Sequence, residues 1–156
     1  MNIPSRRFWA RGGLTLALAL VTMQFVPYGR DHVNPSVGAE PNWDSPDTRA
    51  LAKHACFDCH SNGTEWPMYS RVAPVSWLIQ HDVFEGRAAL NFSEWQRPQE
   101  EATEAAEAVL EGEMPLRIYV LIHSHARLSA AEREQLAHGL RRTIGGPAEV
   151  AGCADR

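Results

Sequence analysis

The sequence predicts an all-α domain, and three observations carry that expectation. Apolar residues recur at helical spacing, as in Val75, Leu78, Ile79 and Val83, in Ala102, Ala105, Ala106, Val109 and Leu110, and in Leu136, Leu140 and Ile144. Helix start and stop signals bracket these stretches. No two alternating apolar–polar runs are joined by a turn, as a hairpin would require.

At the N-terminus, Arg6, Arg7 and Arg11 precede an uncharged apolar run from Gly12 to about Tyr28. A basic stretch followed by an apolar one is the pattern of an export signal or anchor. The run falls between a signal-peptide core and a minimal spanning helix. No small-x-small cleavage site follows it, so residues 1–28 are expected to remain as an N-terminal transmembrane helix. Its arginines would stay cytoplasmic and the rest of the chain would be exported. Residues 29–44, rich in Pro, Asn, Gly and Asp, read as a linker. The domain proper would span 45–145, with a flexible tail over 146–156.

Ser45-Pro46-Asp47 opens the first domain helix, with Ser as N-cap, Pro at the first position and an acid in the first turn. That helix carries Leu51, Ala52 and Ala55 on one face and runs into Cys56. Asn62–Pro74, punctuated by Gly63, Pro67 and Pro74, reads as a loop. The next helix is expected to end at Gly86, and Leu90–Trp95 is a short irregular link. Pro98 opens a third helix that Gly112 closes. Leu116–His123 is a helix or an extended turn. Ser129-x-x-Glu132 is a capping box that opens the last helix, which Gly145-Gly146 stops.

Composition narrows the function. Acidic residues number 19 against 15 basic, and no basic stripe lies outside the first dozen residues, so nucleic acid is not an expected partner. The ~125 residues after the apolar run suit one small domain. There are three cysteines. Two of them form a motif, which leaves Cys153 near the C-terminus with no assigned role. A small exported domain without disulfides must draw stability from another source.

The motif is Cys56-Phe57-Asp58-Cys59-His60, the C-x-x-C-H attachment pattern of a c-type haem. Two thiols at this spacing can each add to a haem vinyl group, and the adjacent imidazole of His60 can be the proximal iron ligand. A buried porphyrin would also give the helices a large apolar surface to pack on. A redox dithiol would want a neighbouring βαβ pattern, and none is visible. Zinc would need two further ligands, and His123 and His125 stand two apart rather than at finger spacing. Covalent haem, one per chain, is therefore the expected cofactor. It is attached to exported chains, which places the domain in a bacterial periplasm, tethered to the inner membrane.

The sixth iron position needs a candidate, and Met114 leads. It follows a helix stop and precedes Pro115, which cannot continue a helix. A thioether is soft and favours ferrous iron. Met68 is an alternative only eight residues from His60, while His81 or His123 would give a bis-histidine site. His54 lies on the wrong side of Cys56 to ligate. Trp66, Trp77 and Trp95 are expected around the porphyrin or in the core. Arg71 and Arg87 could pair with haem propionates, although an ordinary surface role is the default for each. Glu100, Glu101, Glu104, Glu107, Glu111 and Glu113 form an acidic, solvated face.

Several motifs in order then point to a family. They are Cys56-x-x-Cys59-His60-Ser61-Asn62, Trp66-Pro67-x-Tyr69-Ser70, Ala73-Pro74-Val75-Ser76-Trp77, Gly86-Arg87, Leu90-Asn91-Phe92-Ser93-x-Trp95 and Met114-Pro115. Over about residues 44–143 the chain resembles the haem-binding domain family of bacterial exported proteins. That resemblance implies a cytochrome c-like fold around one haem, often with an N-terminal membrane segment. It implies covalent attachment at Cys56 and Cys59, His60 as proximal ligand and Met114 on the other side.

The expected function is a membrane-anchored monohaem cytochrome c that passes single electrons between redox partner proteins and does no bond chemistry. The alternative is a haem sensor or peroxidase-like protein with a displaceable sixth ligand, in which His123 or His125 could serve as a distal acid or base.

Overall fold

The computed structural model describes residues 6–145. The elements are α1 (Arg6–Met23), α2 (Pro46–Ala55), α3 (Phe57–His60), α4 (Val75–Ala89), α5 (Ala105–Glu111), α6 (Arg117–Ile122) and α7 (Ala130–Gly145), with short 3-10 turns at Met68–Arg71, Ala102–Glu104 and Ser124–Ala126. Among the described residues there is no strand, so the all-α expectation holds. Cys153 and the tail lie outside the described residues.

The predicted caps are formed. Ser45 Oγ accepts the amide of Thr48 at 3.2 Å, with Pro46 at the head of α2. At α7 the amide of Ser129 donates to Glu132 Oε2 at 2.8 Å, and the amide of Glu132 donates to Ser129 Oγ at 3.3 Å. Each satisfies donors that the helix itself leaves without partners.

The apolar N-terminal run folds as α1, but the expected transmembrane helix is not found. No helix among the described residues is long and apolar enough to cross a membrane. The reason is length. Of the 18 residues of α1, the six up to Arg11 include three arginines. The apolar remainder, Gly12–Met23, rises only about 18 Å, against about 30 Å of hydrocarbon. No residue of α1 is buried.

Two other expectations shift. The third helix does not start at Pro98. The Gln99 side chain donates to the Glu94 carbonyl and accepts the Asn91 amide, and the Glu101 amide bonds the Ala89 carbonyl. These ties hold the segment against the preceding loop, and regular α-helix begins at Ala105. Nor does Gly86 end α4, which runs on to Ala89.

The described chain divides into two compact units, one of residues up to Val33 with Trp66–Asp82, the other of Asn34–Glu65 with the residues from Val83 onward. In the first, the Gln24 side chain pairs with both backbone groups of Ala73, at 2.9 and 3.1 Å. Trp66 stacks on His32 with ring centroids 4.7 Å apart.

In the second unit α7 packs on α2 and α5. Its core holds Ala52, Phe92, Ala106, Val109, Leu136 and Leu140, all at most 3 % exposed. The approach of α7 to α2 depends on Gly139, where an added Cβ would run into the Thr48 side chain. Residues 34–44 run extended along the 91–96 loop, with Gly38 N–H bonded to Ser93 O and Trp95 N–H to Ala39 O.

Candidate haem site

The cysteine motif sits where α2 stops. The Cys56 amide still bonds Ala52 O, and the single turn α3 is closed by the His60 amide on Cys56 O at 2.9 Å. Cys56 caps this turn and Cys59 lies within it. Ser61 Oγ donates to Phe57 O at 2.7 Å and accepts the Gly63 amide, which folds the chain back after the turn.

A polar scaffold holds this turn. Asn62 is buried. Its amide nitrogen donates to Ser36 O and Glu94 Oε1, and its oxygen accepts from Asn91 Nδ2 at 2.8 Å. Ser93 Oγ takes the Asn62 backbone amide, and Asn91 Oδ1 takes that of Ser93. Buried polar groups are tolerated when satisfied in this way. Phe92 N–H then bonds His60 O at 2.8 Å. Leu90–Trp95, expected as a mere link, is thus part of the site's support.

His60 is oriented by that same segment. Its Nδ1 lies 3.0 Å from the carbonyl oxygen of Leu90. A carbonyl only accepts, so Nδ1 carries the hydrogen and Nε2 keeps a free lone pair, as a metal ligand requires. Burial lowers the His60 pKa, against opposing contributions from the Leu90 and Gly86 carbonyls and the Glu101 charge. The ring is thereby biased to the neutral form that binds metal. Burial, with the neighbouring Cys59, pushes the Cys56 thiol up to about 12.

Met114 is positioned by the end of α5. Gly112 adopts the left-handed conformation, φ +79°, which turns the chain out of the helix. The amides of Glu113 and Met114 both return to Ala108 O, at 3.0 and 3.1 Å. Arg133 Nη1 caps the same helix end by donating to Val109 O at 2.9 Å. Met114 is half-buried against the core.

These parts converge on one open cleft, lined by Cys56, His60, Leu90, Phe92, Met114 and Pro115, with Glu101, Glu104 and Glu113 among its polar groups. Cys59 does not line it. Gly86 lies against its backbone, so close that a Cβ there would stand 2.7 Å from Cys59 O. The glycine is in α4 because the attachment turn presses on the helix there.

Other candidates lie elsewhere. Met68, 86 % exposed, and Arg71 sit on a 3-10 turn of the first unit, and His81 is exposed on the part of α4 in that unit. Arg87 does not line the cleft. Its guanidinium holds Ser61 O, Thr64 Oγ1 and Asn34 Oδ1 at 2.8–2.9 Å, so it braces the loop after the motif. His123 stacks on Tyr119 with centroids 4.1 Å apart, and His54 and His125 line a separate groove beside Asp58. Among the described residues, no three of His, Cys, Asp and Glu group as a metal site. Trp95 stacks on Phe92 in the core, and the six glutamates of the acidic face are all exposed.

A small helical unit that gathers a neutral imidazole, a thioether and a motif thiol around one largely apolar cleft has the donor set and setting of a porphyrin-binding protein. Over residues 18–142 the sequence matches the family described as a haem-binding domain. The chain belongs to that family and binds haem. No curated protein and no solved structure matches it.

Proposed function

We propose that the protein is a monohaem c-type cytochrome that carries single electrons. In this reading Cys56 and Cys59 would hold the haem covalently, and His60 Nε2 and the Met114 sulfur would ligate its iron. The haem, when bound, supplies a one-electron ferric–ferrous couple. The chain supplies the rest. His60 is held in one tautomer by Leu90 O, Met114 would offer a soft ligand that raises the potential relative to a second histidine, and the cleft supplies a largely apolar wall. The observation that carries the reading is that His60, Met114 and Cys56 line the same cleft. The candidate distal bases of a peroxidase, His123 and His125, do not line it, which favours a carrier over an enzyme.

The proposed compartment is the bacterial periplasm. Phe8 and Trp9, among the arginines of α1, and Leu14, Leu16 and Leu18 beyond them are all exposed. Such a helix suits export and attachment at the inner-membrane surface, beside redox partner proteins.

The test is to make the chain in cells equipped for cytochrome maturation. Expected are one haem per chain by mass and colour that survives acid–acetone extraction. The ferric spectrum should be low-spin with a weak red methionine–iron band that Met114→Ala abolishes. A colourless chain, or high-spin ferric iron that binds cyanide rapidly, overturns the reading.

A further inference from the structure

We infer that Tyr119 and Asp58 form a latch between the segment bearing Met114 and the haem-attachment turn, and that this latch governs how readily an external ligand displaces Met114. The inference rests on the c-type reading above.

Asp58 is the residue between the two cysteines that precedes Cys59, and both of its carboxyl oxygens are engaged. Oδ1 accepts the amide of Glu65 at 3.0 Å, and Oδ2 accepts the Tyr119 hydroxyl at 2.5 Å. Its backbone carbonyl takes Thr64 Oγ1 at 2.7 Å. Asp58 is thus fixed to the loop that closes the attachment turn and cannot follow Tyr119 if the latter moves. Tyr119 lies five residues after Met114, on the short helix α6.

Burial holds that helix only in part, through the half-buried Tyr119 and Val120. None of its six residues is buried, and Ile118, Leu121 and Ile122 are each more than half exposed. Firm burial resumes only at Ala126 and Leu128. Upstream, Met114 is secured by its amide bond to Ala108 O. Between those anchors the Tyr119–Asp58 bond joins the segment after Met114 directly to the attachment turn. His60 is two residues from Asp58, so the bond ties the carriers of the two axial ligands to each other. Tyr119 is a positioning residue here, acting through Met114.

For a sixth site that opens before an external ligand enters, apparent affinity scales with the open fraction. Losing a hydrogen bond to a carboxyl group should raise that fraction on the order of tenfold. The experiment titrates ferric holoprotein with imidazole and follows the methionine–iron band. Tyr119→Phe and Asp58→Ala should each raise imidazole affinity about tenfold, and the double variant should do no more than either alone. Asp58→Asn, which keeps an acceptor for the hydroxyl, should stay near wild type. Tyr119→Phe removes one oxygen atom, so the test stands even if Asp58→Ala does not mature.

Wild-type affinity in Tyr119→Phe overturns the latch, and so do additive effects in the double variant. If the wild-type protein shows no band that depends on Met114, the c-type reading fails and the latch with it. If the band is present and the variants leave imidazole binding unchanged, the latch alone falls.

Discussion

Gly86→Ala tests how tightly the attachment turn is pressed on its supporting helix. An ideal Cβ at Gly86 would stand 2.7 Å from the Cys59 carbonyl oxygen and 3.1 Å from both its carbonyl carbon and its Cβ. Two of these three atoms are backbone, so no side-chain rotation relieves the contact. In an exposed helix the same change would gain about 1 kcal/mol from propensity. Overpacking a close contact costs about 1–3 kcal/mol, and the steric cost should win here because the turn itself must shift. A net loss of up to about 2 kcal/mol lowers the melting temperature by as much as several degrees in a chain of this size. The damage should reach the iron, because Gly86 O accepts the Leu90 amide at 3.0 Å and Leu90 O orients His60. Thermal unfolding followed by circular dichroism and by haem absorbance reads both effects. Gly12→Ala, at a position with nothing within 4 Å, is the control and should not lower the melting temperature. A Gly86→Ala protein as stable as wild type, with an unaltered haem spectrum, would refute the reasoning.

Gly139→Ala should destabilise by about 1–3 kcal/mol in urea melts, and the additional change Thr48→Ala should recover part of the loss, since the clash is with that side chain. Asn91→Ala leaves Asn62 Oδ1 and the Ser93 amide without partners. The expected cost is about 1–3 kcal/mol by denaturant titration, with a greater loss of haem colour on heating than in wild type. The hydrogen bond from Arg49 holds the Glu40 carboxyl below its ordinary value of 4.5, outweighing burial. A lowered carboxyl stabilises the fold above its unfolded pKa and loses that contribution as pH falls through its folded value. Glu40→Gln should therefore be less stable than wild type at neutral pH, by under about 1 kcal/mol for so exposed a pair, and the gap should close as pH falls below the ordinary carboxyl value of 4.5.

Much of this architecture was legible because it depends on residues near in sequence. Ser45, Ser129 and Glu132 cap the helices they immediately precede, and Gly112 leaves α5 in the conformation that glycine alone adopts cheaply. The C-x-x-C-H spacing is likewise a property of one turn. The N-terminal run is limited by a different feature. Its uncharged residues continue to Tyr28, but α1 ends at Met23, and no helix among the described residues is long and apolar enough to cross a membrane.

What stayed hidden depends on neighbours distant in the chain. Gly86 looked like a helix stop because glycine weakens helices, yet its role is set by Cys59, 27 positions earlier. Arg87 looked available for a propionate, but Ser61 and Thr64 engage it, and neither could be paired with it from spacing. The acceptor that orients His60 is a backbone carbonyl, which every residue possesses, so no residue type at position 90 could announce it. The sequence therefore names the atoms able to bond a porphyrin more readily than those that aim them. The aiming groups here are a carbonyl, two asparagines and a missing Cβ, and each acquires its role only when α4 and the 90–95 segment close on the turn. A substitution scan scored by haem spectrum rather than by stability alone should find its strongest positions outside the motif and Met114 at Gly86, Asn62 and Asn91, which support the segment that orients His60.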